Sequence, residues 1–169
     1  IDPLSDVLDP FNIIIVCSLL IFFNLNVKYL LQNKIKLKLL QEKTGLEYTK
    51  IIDTFDFYLL VCKHWIWSLA VAGILCNIIK YIFGVARPKY FFFEGFERVD
   101  FFNALHKANS FPSGHTQAAF TLAVLLIIYV NKYYWIIFTI AALMGISRIF
   151  MSMHFPSDIL FGAYLGSLI

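Results

Sequence analysis

Three short stretches hold most of the residues whose types and spacing suit chemistry: KYIFGVARP from Lys80 to Pro88, FPSGH from Phe111 to His115, and SRIFMSMHFPSD from Ser147 to Asp158. Lys80 and Arg87 stand seven residues apart, about two turns if a helix continues, so both cations can project to one side. Pro88 disfavours helix at Arg87 and turns the chain away. A lysine snorkelling from the end of an apolar segment explains Lys80 equally well. In the second stretch Pro112 suits a first helical turn, Ser113 offers a hydroxyl, and Gly114 lets backbone come close to a ligand. A helix start of this kind presents unpaired N–H groups to an anion, and His115 stands where it can protonate a departing oxygen. An ordinary helix cap beside an interfacial histidine fits the same five residues.

In the third stretch, Arg148 near the end of an apolar segment is costly without a bound anion or an acidic neighbour. Pro156 opens a new helix, which leaves His154 just outside the first turn and puts Asp158 inside it, where the helix dipole favours a carboxylate. From there Asp158 can accept the N–H of one imidazole nitrogen and leave the other aimed outward, and an oriented neutral histidine is a nucleophile. Alone, the pair also fits a capping aspartate beside a packed histidine. Together, three cations, a helix N-terminus and two histidines supply the parts to clamp a phosphoryl group, attack it and protonate what leaves. Metal binding is the competing use of clustered histidines. No His-Glu-x-x-His pattern, paired cysteine or acidic cluster accompanies them, and three nearby cations repel a metal ion. Neither a metal nor a cofactor is expected.

Apolar elements must position these residues. The chain is 60% hydrophobic and 15% charged with a mean hydropathy of +0.74, a balance that points to membrane residence. Five apolar segments are read, at 11–31, 58–83, 117–130, 133–150 and 156–169, each near or below the ~20 residues a spanning helix needs. A spanning segment must satisfy its own backbone hydrogen bonds, so helix is favoured despite the many Ile, Val and Phe residues. The expectation is an all-α, polytopic transmembrane helical bundle. Cys17, Cys62 and Cys76 lie in apolar segments without ligand spacing and are read as free thiols. No signal peptide is evident, and a net charge of +3 is small for a nucleic-acid binder, so no nucleic-acid partner is expected.

The connector at 32–57 carries Lys34, Lys36, Lys38, Lys43 and Lys50 and is expected on the cytoplasmic side. Counting crossings from it delivers Lys80, Arg87, the connector at 84–110, Arg148, His154 and Asp158 to one outer face. All three arginines fall there, while eight of the fourteen cationic residues, all lysines, fall at or near the inner side. Outer arginines need another task, and the guanidinium fork matches phosphate oxygens.

Lys80 with six residues before Arg87-Pro88, then Pro112-Ser113-Gly114-His115, then Ser147-Arg148 with five residues before His154 and three before Asp158, resembles the phosphatidic acid phosphatase type 2 superfamily. The resemblance implies a haloperoxidase-like helical core in a single membrane-embedded phosphatase domain over 1–169. Six helices are expected in the full protein, about five of them covered here, with one before Phe11 absent. It implies that His154 attacks phosphorus to form a phosphohistidine, that Asp158 orients it, and that His115 protonates the leaving oxygen. Lys80, Arg87, Ser113, Gly114 and Arg148 would hold the phosphate, and hydrolysis would be metal-independent. The substrates it allows are phosphatidate, phosphatidylglycerol phosphate, polyprenyl diphosphates such as undecaprenyl diphosphate, and lipid A phosphates. A lipid phosphotransferase using the same site is the nearest alternative; a transporter lined by Lys80, Arg148 and His154 is a more distant one.

The phenylalanine-rich run KYFFFEGFERVDFF in the outer connector suits an interfacial segment that guides a lipid phosphate, or a loop packed on the bundle. Abundant Ile, Lys, Phe and Asn hint at a bacterium, hence an inner-membrane protein with a periplasm-facing site.

Overall fold

The computed structural model describes residues 10–45, 47–103, 105–130 and 132–168. Residues 1–9, ahead of which a helix is expected to be missing, fall outside them, as does Asn131 in the turn expected after the third apolar segment. Among these residues seven α-helices follow in order: α1 (Pro10–Leu31), α2 (Lys34–Thr44), α3 (Tyr48–Phe83), α4 (Pro88–Glu94), α5 (Gly114–Val130), α6 (Tyr134–Phe150) and α7 (Pro156–Leu168). A 3-10 turn, His106–Ala108, precedes α5, and an isolated antiparallel bridge joins Val85 to Val99. The all-helical expectation holds among the described residues.

Two differences from the sequence reading concern the connector at 32–57. It contains α2, capped by the Asn33 side chain, which accepts from the Ile35 N–H at 3.0 Å, and stopped by Gly45 in the left-handed region at φ 66°. It also contains the first ten residues of α3, which begins at Tyr48 and not at residue 58. Hydropathy marks where a bilayer is crossed, whereas a helix continues until Pro, Gly or a cap stops it. Residues 48–57 hold Lys50, Asp53 and Asp56 but no breaker.

Phe11–Trp67 and Ser68–Ile169 form two compact units. In the first, Asn24 Nδ2 donates to the Phe55 carbonyl at 2.9 Å and Lys28 pairs with Asp56 at 2.5 Å, fixing α1 against the first part of α3. The second unit is built around α5, which packs on both α6 and α7. Most of the buried residues of α5 are small or polar: Thr116, Gln117, Ala118, Ala119, Thr121 and Ala123, alongside Leu122 and Leu125. Opposite them on α7 stand Gly162 and Gly166, four residues apart on one face.

A Cβ at Gly166 would lie 2.2 Å from the Gln117 carbonyl oxygen, and one at Gly162 would lie 2.6 Å from that of Ser113. Backbone therefore meets backbone where the start of α5 runs along the second half of α7. Gly166→Ala is expected to lower stability by about 1–3 kcal/mol through overpacking. A reduced unfolding midpoint in detergent checks this, and an unchanged midpoint would contradict the close approach.

The exterior is apolar: Trp135 is 72% exposed, Phe150 85% and Leu160 73%. α1 and α3 are long and apolar enough to cross a membrane, and α5 and α6 are shorter apolar helices. Large side chains outside and small ones inside are the arrangement that close helix packing in lipid favours.

Candidate active site

The segment between α3 and α5 is held by backbone. Gly84, in the left-handed region at φ 48°, ends α3 with its N–H on the Lys80 carbonyl at 3.0 Å. A Cβ there would sit 1.7 Å from the Asp100 carbonyl oxygen, so no other residue fits this turn. Ala86 N–H donates to the Arg98 carbonyl and Asp100 N–H to the Gly84 carbonyl, both at 3.0 Å, making a short ribbon around the Val85–Val99 bridge. Arg87 is extended at ψ 148°, as expected before Pro88, which opens α4. Its N–H donates to the Lys107 carbonyl at 3.0 Å, and Ser110 N–H donates to the Val85 carbonyl at 2.8 Å.

The chain then enters α5 beside the start of α7, where Ser113 N–H donates to the Asp158 carbonyl at 3.0 Å. Residues 110–113 and 154–158 thus lie against each other. His154, only 4% exposed, places Nδ1 2.7 Å from the Ser110 carbonyl oxygen. A carbonyl can only accept, so Nδ1 carries the proton and Nε2 carries the lone pair.

Asp158 is as buried, but its Oδ2 lies 3.8 Å from Nδ1, an ion-pair distance to a protonated ring and too long for a hydrogen bond. Oδ2 instead accepts from Ser110 Oγ at 2.5 Å and from the Phe155 N–H at 2.9 Å. The carboxylate thus holds the two backbone segments that flank the imidazole.

Ser110 is the residue that sequence reasoning missed. It is wholly buried and joins both partners, its hydroxyl on Asp158 and its carbonyl on His154. A main-chain contact leaves no mark on residue type, and a serine in a loop before a proline reads as turn chemistry.

The cations gather on the turn leading to His154. Arg87 Nη1 lies 3.3 Å from the Met153 sulfur, and the buried Arg148 has Nη1 3.8 Å from the Met151 sulfur. A thioether is a weak acceptor. Arg87 Nε is buried with no hydrogen-bond partner among the described residues, and burial pulls this guanidinium below its ordinary value.

Lys80 Nζ donates to the Asn109 carbonyl at 3.1 Å and lies 3.9 Å from where a Cβ on Gly114 would stand. Ser113 is wholly buried, and its Oγ accepts from Thr116 Oγ1 at 2.9 Å. His115 is the second residue of α5 and exposed. A further histidine, His106, faces the same charges. The positive charge of Arg87, then partial burial and Lys80, hold its pKa below the ordinary value.

The sequence profile of the PAP2 superfamily matches residues 63–169. The chain is 30% identical over 156 residues to the lipid A 1-phosphatase of Rhizobium johnstonii, covering 91% of this chain and 57% of that protein. It is 32% identical over 103 residues to the undecaprenyl-diphosphatase of Sulfolobus acidocaldarius, covering 60% of this chain and 48% of that one. The chain therefore spans only about half of these curated relatives. The crystal structure of Aquifex aeolicus LpxE superposes with a TM-score of 0.54 at 31% identity, covering 89% of this chain and 82% of that one.

Proposed function

The chain belongs to the PAP2 superfamily, and from that premise we propose that it is a membrane-embedded lipid phosphate phosphatase working through a phosphohistidine. The observation that supports this most directly is the imidazole of His154, whose Nδ1 is held on the Ser110 carbonyl at 2.7 Å, on a turn gripped by Arg87 and Arg148. Relatives named for lipid A and undecaprenyl diphosphate support a lipid phosphate as the substrate class.

In the proposed reaction the phosphoryl oxygens lie among Lys80, Arg87 and Arg148, which neutralise the charge of the transition state. His154 Nε2 attacks phosphorus, and the bond to the lipid oxygen breaks as the N–P bond forms. His115, protonated, gives its proton to that oxygen. Water then attacks the phosphohistidine, with its proton going to His115, and the N–P electron pair returns to Nε2. Asp158, 3.8 Å from Nδ1, stabilises the positive charge that the ring carries while phosphorylated.

The exposed Phe92, Phe93, Phe101 and Phe102 of the connector between α3 and α5 suit the head-group region of a bilayer, where they would admit a lipid from the side. We place the site on the periplasmic face of a bacterial inner membrane, with the lysine-rich connector between α1 and α3 in the cytoplasm.

The test offers phosphatidate, phosphatidylglycerol phosphate, undecaprenyl diphosphate and lipid A in detergent to the purified protein, with a chelator present, and reads inorganic phosphate. Release from at least one lipid is expected, undiminished by chelator. Transfer to a lipid acceptor without free phosphate would replace hydrolysis by phosphotransfer. Complete inhibition by chelator would overturn the metal-independent route.

A further inference from the structure

Resting on the phosphatase reading above, we propose that Arg98 forms a second anion subsite at the mouth of the site, reading negative charge on the substrate beyond the reacting phosphoryl group. Arg98 belongs to none of the three motif stretches, yet the fold carries it to the nucleophile. Its carbonyl accepts the Ala86 N–H at 3.0 Å, one residue before Arg87, so the two arginines ride on one short ribbon. Arg87 touches Met153 at 3.3 Å, and the Arg98 guanidinium carbon lies 4.2 Å from the ring centroid of Phe155 and 5.7 Å from that of Phe91. The two guanidiniums therefore grip the residues immediately before and after His154.

Stacking uses the face of a guanidinium and leaves its in-plane N–H edge available for a bidentate contact with a phosphate. Nothing among the described residues occupies that edge with a carboxylate. Of the acidic neighbours in the same connector, Glu94 is paired with Lys107 at 2.7 Å, Asp100 Oδ2 accepts from Asn103 at 2.6 Å, and the adjacent Glu97 is exposed and forms no ion pair with Arg98. Arg98 is exposed, whereas Arg148 and His154 are buried, so its edge meets what remains outside when the reacting group is inside. The ligand class is a phosphate ester carrying a second anionic group next to the scissile one, as in a lipid diphosphate.

The experiment compares farnesyl monophosphate with farnesyl diphosphate, one apolar chain with one or two phosphates, on the purified full chain in detergent. Arg98→Gln is expected to lower kcat/KM for the diphosphate about tenfold and to leave that for the monophosphate within about twofold, with Arg98→Lys recovering part of the loss. Equal losses on both substrates would make Arg98 only a clamp on the Phe155 turn and overturn the subsite. No loss on either, or a wild-type protein that rejects the diphosphate while cleaving the monophosphate, would also overturn it and leave the phosphatase reading standing. A wild-type protein that releases phosphate from neither would remove both.

Discussion

His154→Ala is expected to lower phosphate release by about 10⁴-fold or more, because in the proposed reaction it removes the atom that bonds phosphorus while the cations proposed to bind phosphate stay in place. The substitution also orphans the Ser110 carbonyl, which now takes the Nδ1 proton at 2.7 Å in a site that is 4% exposed. A loss of folding would mimic a loss of chemistry. His154→Asn separates the two: its side-chain N–H₂ can replace the Nδ1 donor, but nothing replaces Nε2. The expected result is that Asn and Ala variants are equally inactive, whereas Asn has the higher unfolding midpoint. Wild-type protein quenched during turnover should carry acid-labile phosphate on His154. Residual activity above about 1% in the Asn variant would remove His154 from the nucleophile's role.

The parts of this site legible in the sequence are those whose chemistry needs a particular side chain. Lys80, Arg87, Arg148 and His154 stand out because a charge or an imidazole at the edge of an apolar segment is costly unless something uses it. Gly84 gave no such signal, yet the turn it makes carries Arg87 and Arg98 on one ribbon. Its requirement comes from a backbone carbonyl sixteen positions away in the chain. Ser110 was invisible for the same reason, since its carbonyl, not its residue type, meets His154.

Helix ends were misjudged where hydropathy and helicity part company. Residues 48–57 are too polar to be counted with a span but contain nothing that stops a helix, so α3 runs thirty-six residues. The helical class itself was secure, because backbone groups in an apolar solvent admit few arrangements. The packing of α5 on α7 was not read, although Gly162 and Gly166 are spaced for it.

Asp158→Asn is expected to lower kcat by about 10²-fold with KM changed by less than about threefold, a smaller loss than removal of His154. Were the carboxylate the sole partner of Nδ1, the amide would permit the wrong tautomer, and the damage would approach that of losing the nucleophile. Here the Ser110 carbonyl fixes the tautomer and Asp158 stands 3.8 Å away, so Asn leaves the proton on Nδ1 and the lone pair on Nε2. What is lost is the negative charge beside the ring that the proposed reaction phosphorylates, together with one of two strong acceptances, from Ser110 Oγ and from the Phe155 N–H. Ser110→Ala provides the comparison. It keeps the carbonyl and the carboxylate and deletes only the hydroxyl, so it should cost less than Asp158→Asn. Steady-state kinetics on one lipid phosphate decide the order. If Asp158→Asn were as damaging as His154→Ala, the carboxylate would have to set the tautomer directly, and the Ser110 carbonyl would lose its part in aiming the nucleophile.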